Sequence, residues 1–347
     1  MKEDTTGREH YGFELTPPFP LVDLVELISA ELQPSDEERS TVVALLQRKL
    51  PPLIRGGVLS LILGISPKLI HAMAHAPEKY YRQFKLPKRG GGIRFIDSPR
   101  VFLKVVQRWI LQNILYNQKL PNFVTGFVPA KGILENARIH VGHSYLFRLD
   151  IKDFFPSVKR AQVQVVYSRF GFPDEVSALL ARLSTLRGVL PQGAPTSPYL
   201  ANLVFLPCDK QISEIAESDG LFYSRYADDL TLSSNHPIAE AAKVQIQQAV
   251  VKGGFTVNPR KLKSAGPGQR LMTTGIVVNA KVHPMRTLRR NLRARFHQAR
   301  LHPRRFIKQA NQLLGWAAYV NSYDAIRGQE YLKIANDIAA LSKRSKA

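Results

Sequence analysis

Four residues constrain this chain more than any others: Tyr226-Ala227-Asp228-Asp229, two adjacent carboxylates inside an otherwise apolar stretch. The arms around them, Phe222-Tyr223-Ser224-Arg225 and Leu230-Thr231-Leu232, favour extended backbone and predict two strands joined by an Ala-Asp-Asp turn. Such a hairpin presents both acids at its tip. Like charges held side by side repel unless a cation lies between them, and a hard divalent ion, Mg²⁺ above all, meets that need with oxygen ligands. A turn that merely solvates two acids is the competing reading of these residues alone.

A third carboxylate shifts the balance. Tyr145-Leu146-Phe147-Arg148-Leu149-Asp150 reads as a second apolar strand ending on an acid, followed by Ile151, Lys152, Asp153 and the aromatic pair Phe154-Phe155. Two strands that each deliver acid at one end can converge on one site. Two-metal phosphoryl transfer needs that convergence, with ions about 3.5–4 Å apart, one activating the attacking oxygen and the other stabilising the leaving group.

Charge points to the partner. The 347 residues carry 49 Lys and Arg against 27 Asp and Glu, a formal net charge of +22, which calls for a polyanion, and nucleic acid is the commonest one. Dense basic clusters at 79–108 and 286–308 suit a long polynucleotide track better than one small anion. Membrane-surface binding is the weaker alternative, because no amphipathic anchor with interfacial aromatics stands out. The most apolar segment, Val58 to Ile65, is far too short to span a bilayer, and Met1-Lys2-Glu3-Asp4 does not open like a secretory signal. With Cys208 alone, neither an intramolecular disulfide nor a multi-thiolate zinc site is possible, and a cytoplasmic location is expected.

The pattern along the chain is helical at first, with a helix from Asp36 through Leu50 stopped by Pro51-Pro52 after a Pro17-Pro18-Phe19-Pro20 lead, then a short helical pair over 58–76. Short strands follow around Arg89-Gly90-Gly91-Gly92, and then a helix from Val101 to Leu120. Helices are predicted near 160–170 and 174–186, after Thr196-Ser197-Pro198, and from Ala239 to Lys252; β-like segments run to Asn279, and 286–347 reads as nearly all helix.

These blocks, in this order, resemble a reverse transcriptase, and within that class the bacterial retron type. Leu86-Pro87-Lys88-Arg89-Gly90-Gly91-Gly92-Ile93-Arg94 is similar to the fingers motif, and Leu149-Asp150 to Phe155 to the first palm motif. Leu190-Pro191-Gln192-Gly193 with Thr196-Ser197-Pro198 resembles the second, Tyr226 to Asp229 the third, and Asn258-Pro259-Arg260-Lys261 the fourth. Two markers narrow the type: Asn136-Ala137-Arg138-Ile139-His140 fits Asn-Ala-x-x-His, and Thr273-Thr274-Gly275 stands where retron enzymes usually carry Val-Thr-Gly. Thr273, and Leu262 where the family often has Thr, depart from the pattern.

The resemblance implies an α+β right-hand polymerase: an N-terminal helical extension (1–76), fingers (77–140), an antiparallel-sheet palm (141–280, with a fingers insertion at about 160–190) and a basic helical thumb (281–347). It makes Asp150, Asp228 and Asp229 the catalytic ligands of two Mg²⁺ ions, with the Ile151 carbonyl as a further ligand. Phe155 would lie under the incoming sugar and exclude a ribose 2′-OH, Gln192 would touch nucleotide or template, and Lys88 and Arg94 would clamp the triphosphate. Lys261 would protonate the departing pyrophosphate. Each also has a plain structural reading: core ring, loop-shaping amide, solvated basic hairpin, solvated lysine.

Arg286, Arg289, Arg290, Arg293, Arg295, Arg300, Arg304, Arg305 and Lys308 include i, i+3, i+4 and i+7 relations that let a helix face track phosphates, or simply face water. Trp316, Tyr319 and Tyr323 are candidates for base stacking or for thumb packing. Asn136, His140, Thr274 and Gly275 serve as family markers, and Asn136 and His140 share a helix face without a role the sequence explains.

The implied partners are dNTPs, a structured noncoding RNA serving as template and primer, the RNA–DNA hybrid and single-stranded DNA it yields, and a separate effector protein in antiphage defence. Synthesis would start from the 2′-OH of an internal guanosine and leave a branched product. A group II intron-like or diversity-generating reverse transcriptase, or a non-catalytic RNA-binding scaffold, are the other readings.

Overall fold

The protein is described here by a computed structural model covering residues 33–87 and 91–344; the Pro-rich lead and Lys88, Arg89 and Gly90 lie outside the described residues. Helix α1 (Asp36–Gln47) starts on a capping box, in which Ser35 and Glu38 each accept the other's backbone N–H. It stops three residues short of Leu50, where Lys49 takes a positive φ of 58°. Helices α2 (Gly56–Leu63) and α3 (Pro67–His75) form the expected short pair. Their buried faces, with Leu59 and Met73, join Leu45 in the same core as the central sheet, so these helices are built into the body rather than hung from it. No single helix among the described residues is long and apolar enough to cross a membrane.

Strands β1 (Tyr81–Pro87) and β2 (Ile93–Pro99) pair as an antiparallel hairpin that projects largely exposed, and α4 (Val101–Asn113) follows. The helix predicted to reach Leu120 ends early. Asn113 and Asn117 turn their side-chain amides back onto the carbonyls of Trp109 and Asn113, and Asn117 also donates to Lys49, so the chain tightens into a 3₁₀ turn over Leu115–Asn117.

After α5 (Ile133–Arg138) comes β3 (Tyr145–Lys152), then the short α6 (Phe154–Ser157), α7 (Arg160–Arg169), α8 (Asp174–Ser184) and the long α9 (Ser197–Ser218). Strands β4 (Phe222–Tyr226) and β5 (Asp229–Ser234), α10 (Glu240–Lys252), β6 (Thr256–Val257) and β7 (Lys263–Ala265) complete the central sheet. Its order is β4-β5-β3-β6, with β7 also on β3, and every pairing is antiparallel. The outer edge of β4 is covered by residues 123–125, whose backbone exchanges hydrogen bonds with Arg225.

Alternation divides the sheet. Leu230, Leu232, Tyr223, Phe147 and Leu149 face the large core shared with α9 and α10, while Asp229, Thr231 and Ser233 point the other way. On that second face pack α5 and a small antiparallel sheet of β8 (Met272–Thr273), β9 (Ile276–Val277) and β10 (His283–Pro284), around Leu134, Leu146 and Ile276. Helices α11 (Arg286–Leu301), α12 (Ala310–Asn321) and α13 (Ala325–Arg344) then form a bundle with its own core of Leu292, Phe296, Leu313 and Tyr331. An α+β palm with exposed fingers strands and a helical bundle beyond it is the right-hand layout the motifs imply.

Candidate active site

The β4–β5 hairpin closes as its sequence predicts, with Tyr226 paired to Asp229 and Ala227-Asp228 as the turn. Ala227 takes a φ of 58°, a left-handed conformation that an L side chain adopts at a cost and keeps only when its surroundings enforce it. Three contacts enforce it. The Ala227 carbonyl accepts from Arg225 Nη1 at 3.1 Å, the Asp228 carbonyl accepts from Ile151 N at 2.9 Å, and Gly126 lies so close that a Cβ there would meet Ala227 N at 2.3 Å.

Arg225 is fully buried and is the largest such side chain in the molecule's described part. Its guanidinium forks onto Asp209, with Nη2 to Oδ2 at 2.6 Å and Nε to Oδ1 at 2.8 Å, and reaches Asn202 Oδ1 at 2.8 Å. Phe205 packs against the guanidinium plane at 4.8 Å, and the Tyr223 hydroxyl donates to Asp209 at 2.7 Å. Sequence reading passed over Arg225, Asp209, Asn202 and Gly126. The available signal was a cation at an inward position of an apolar strand, which demands a buried acid somewhere else in the chain.

The three predicted acids converge. Asp150 and Asp229 are directly opposite across the β3–β5 ladder, and Asp228 is held to β3 through Ile151. Burial pushes the Asp228 carboxyl above the usual range, and the neighbouring Asp150 charge adds to the shift. Asp229 is also raised, mainly by burial, although Arg148 opposes it. Cations already answer two of the acids: Lys261 Nζ donates to Asp150 at 2.7 Å, and Arg148 forks onto Asp229 at 2.5 and 3.2 Å.

Among the described residues no three His, Cys, Asp or Glu side chains form a closed metal cage. The donor chemistry nonetheless fits a hard divalent ion: carboxylate oxygens, no thiolate or imidazole, and mutual repulsion that such an ion would relieve. The Ile151 amide is the group that ties the turn to β3.

Other predicted residues fall into place around this tip. Phe154 enters the core, and the partly buried Phe155 ring packs against that core with Phe154 at 5.8 Å and Phe127 at 6.0 Å, while Phe127 also faces Tyr226 at 6.3 Å. The Gln192 carbonyl accepts from Asp97 N at 2.8 Å, which docks its loop on β2, the strand that carries Arg94. Lys88 lies outside the described residues. On α11, Arg286, Arg290, Arg293 and Arg300 form one exposed stripe beside the buried Leu292, Phe296 and Ala299, and Arg304 and Arg305 continue exposed beyond it. Arg289 is half-buried with Nε unpartnered, and Arg295 donates to Gln309 and Gln312. Trp316 and Tyr323 border the bundle core, with Tyr319 between them in an edge-to-face series.

The markers are buried. Asn136 and His140 are inaccessible and hydrogen-bonded to the back of the β4–β5 hairpin, while Thr274 and Gly275, at φ 47° and 82°, make the β8–β9 turn. The Thr274 hydroxyl donates to the Ile133 carbonyl at 3.3 Å.

Comparison with known proteins agrees with this geometry. Residues 86–287, more than half of the chain, match the family described as reverse transcriptase (RNA-dependent DNA polymerase). The chain is 36% identical over 289 residues to the retron Mx162 reverse transcriptase of Myxococcus xanthus, covering 73% of this chain and 60% of that protein. It is 36% identical to the retron Mx65 reverse transcriptase of the same organism, covering 68% and 61%. With the retron Ec86 reverse transcriptase of Escherichia coli it shares 31% identity over 288 residues, 81% of this chain and 87% of that one. The chain thus spans about three fifths of the length of the two Myxococcus relatives. A solved Candida albicans telomerase in complex with a fragment of telomeric RNA aligns at 9% identity with a TM-score of 0.42, over 74% of this chain and 63% of that one. Acids, turn, markers and matched length together place this chain in the reverse transcriptase family, among the retron reverse transcriptases.

Proposed function

We propose that the chain is an RNA-directed DNA polymerase that copies a structured noncoding RNA from its own operon into single-stranded DNA. The observation that carries this reading is the pinned, partly buried convergence of Asp150, Asp228 and Asp229 on one end of an antiparallel sheet. Asp150, Asp228, Asp229 and the Ile151 carbonyl would hold two Mg²⁺ ions, which when bound lower the charge barrier to attack of a primer hydroxyl on a dNTP α-phosphate. Lys261, paired with Asp150 yet 57% exposed, would hand a proton to the leaving pyrophosphate. Arg94, with Lys88, would meet the triphosphate, and Gln192 the base pair being formed.

Phe155, with Phe127 and Tyr226, would wall the sugar pocket. Phe155→Ala should raise ribonucleotide incorporation at least about tenfold relative to deoxynucleotide, a ratio of roughly 1.4 kcal/mol, read in single-nucleotide extension assays. Unchanged selectivity would make the ring core packing only.

The α11 stripe would track RNA phosphates. Replacing Arg286, Arg290 and Arg293 with Gln should weaken RNA binding and reduce the slope of log K against log salt by about 2–3; an unaltered slope would mark the stripe as solvated surface.

As part of the same proposal, synthesis is primed from an internal guanosine 2′-OH, leaves a branched RNA–DNA product and serves antiphage defence with a separate effector; what supports the retron type is the 31–36% identity to retron reverse transcriptases. Sequencing nucleic acid co-purified with the chain tests this: a short single-stranded DNA joined 2′–5′ to RNA is expected, and unbranched DNA or RNA alone would overturn the retron substrate while leaving polymerase activity to be measured on a primed RNA.

A further inference from the structure

The buried markers adjoin the catalytic strand. Asp229, Thr231 and Ser233 share one face of β5; across the ladders Arg148 and Ser224 both lie opposite Thr231, and Asp150 opposite Asp229. Every polar group on this face behind Asp229 is engaged. Asn136 Nδ2 donates to Thr273 Oγ1 at 3.0 Å, and Thr273 Oγ1 is 2.8 Å from Thr231 Oγ1. Asn136 Oδ1 accepts from Thr125 at 2.9 Å and from Ser224 at 2.8 Å. His140 then meets Ser224 through Nε2 and Ser233 through Nδ1, both at 2.7 Å, and Ser233 also meets His143 Nδ1 at 2.7 Å.

These contacts can all be satisfied at once. With Ser224 donating to Asn136 Oδ1, His140 donates from Nε2 to Ser224 and accepts at Nδ1 from Ser233, which in turn accepts from His143. Burial holds the His140 ring neutral, with its pKa pushed down to about 3, so at physiological pH one ring nitrogen donates and the other accepts. The same small sheet reaches the catalytic acid itself, since Arg148, which forks onto Asp229, donates through Nη1 to the Met272 carbonyl at 3.2 Å.

We infer that Asn136, His140 and Thr273 are positioning residues, forming with Ser224, Thr231 and Ser233 a buried hydrogen-bonded brace that fixes the β8–β9 hairpin to the catalytic strand and, through Met272 and Arg148, sets the orientation of the Asp229 carboxylate. The inference rests on Asp229 being a metal ligand, as the proposed function has it. A closed network of this kind holds one geometry because losing any member leaves a buried group unpaired.

The test is Mn²⁺ affinity of the purified full chain by electron paramagnetic resonance, with melting temperature and RNA affinity as controls. Thr273→Val, which keeps the side-chain shape and removes the hydroxyl, should weaken Mn²⁺ binding about tenfold, while Thr273→Ser should stay within about twofold of the parent. Asn136→Ala combined with Thr273→Val should be no weaker than the worse single variant. Mn²⁺ affinity unaltered in Thr273→Val, even with a lower melting temperature, would make the brace a purely structural feature and overturn the inference. So would a parent chain that binds no Mn²⁺. The enzymatic reading fails separately: a parent that binds Mn²⁺ with the predicted Thr273 dependence but extends no primer keeps the brace and loses the polymerase.

Discussion

Asp228→Asn is expected to cut DNA synthesis on a primed RNA by at least about 10³-fold, since several kcal/mol of transition-state stabilisation go with a ligand to the metal pair. The same substitution should raise the melting temperature in buffer free of divalent ions by about 1–3 °C. The two effects share one cause. In the folded protein the Asp228 carboxyl is raised, first by burial and then by Asp150, so its ionised form is less comfortable there than in the unfolded chain. Such a group favours folding below its unfolded pKa, and that contribution is lost as pH rises through the folded value. At neutral pH it therefore opposes folding, and a neutral amide of the same shape removes the opposition. The stabilisation should be present at pH 7–8 and shrink as pH falls through the raised value.

Asp229→Asn should abolish synthesis as well but without the gain in stability, because it leaves Arg148 without its anion. Activity assays and thermal melts of the two variants check this. Synthesis retained in either variant would remove that acid from the metal site, and a melting temperature lowered by Asp228→Asn would refute the electrostatic account.

Asp209→Ala carries the largest expected cost to the fold, about 3–5 kcal/mol in urea denaturation, because it strands the Arg225 guanidinium where neither partner retains measurable solvent exposure. Replacing both residues together, Asp209→Leu with Arg225→Met, should recover most of that loss, since a well-packed apolar pair often does as well as a buried ion pair. Synthesis should not recover with it. Ala227 would still lack the donor that holds its carbonyl, and the left-handed turn between Tyr226 and Asp228 would relax. A double variant both stable and fully active would show that the Arg225 clamp serves packing alone.

Much of the frame was legible in the chain because local patterns report local structure. Alternating apolar residues ending on Asp150 and flanking Asp228-Asp229 announced the strands, and the helix expected to end at Lys252 does so, whereas the one expected to run to Leu50 before Pro51-Pro52 ends at Gln47. The long helix through Leu120 was overread, because Asn113 and Asn117 find backbone partners that no periodicity reveals. Arg148 and Arg225 stood in view as cations inside apolar strands, yet their partners Asp229 and Asp209 are 81 and 16 residues away. Of the basic helix, the sequence showed charge but not direction. Burial of Leu292, Phe296 and Ala299 turns Arg286, Arg290, Arg293 and Arg300 outward, while Arg289 and Arg295 are drawn toward the bundle.

What the amino-acid sequence determined by itself was the chemistry: three carboxylates at strand ends, a basic surface for a polyanion, and motifs whose order matches one enzyme family. Those properties reside in residue type and near-neighbour spacing, which survive without coordinates. Only the tertiary structure decided what holds the chemistry in place. The Ala227 turn is pinned by Arg225, Ile151 and Gly126, and the face behind Asp229 is bonded through Asn136, His140 and Thr273, contacts across as many as 137 residues. Buried hydrogen bonds and ion pairs depend on mutual distance in a dry interior, and that distance exists only once the sheet has formed.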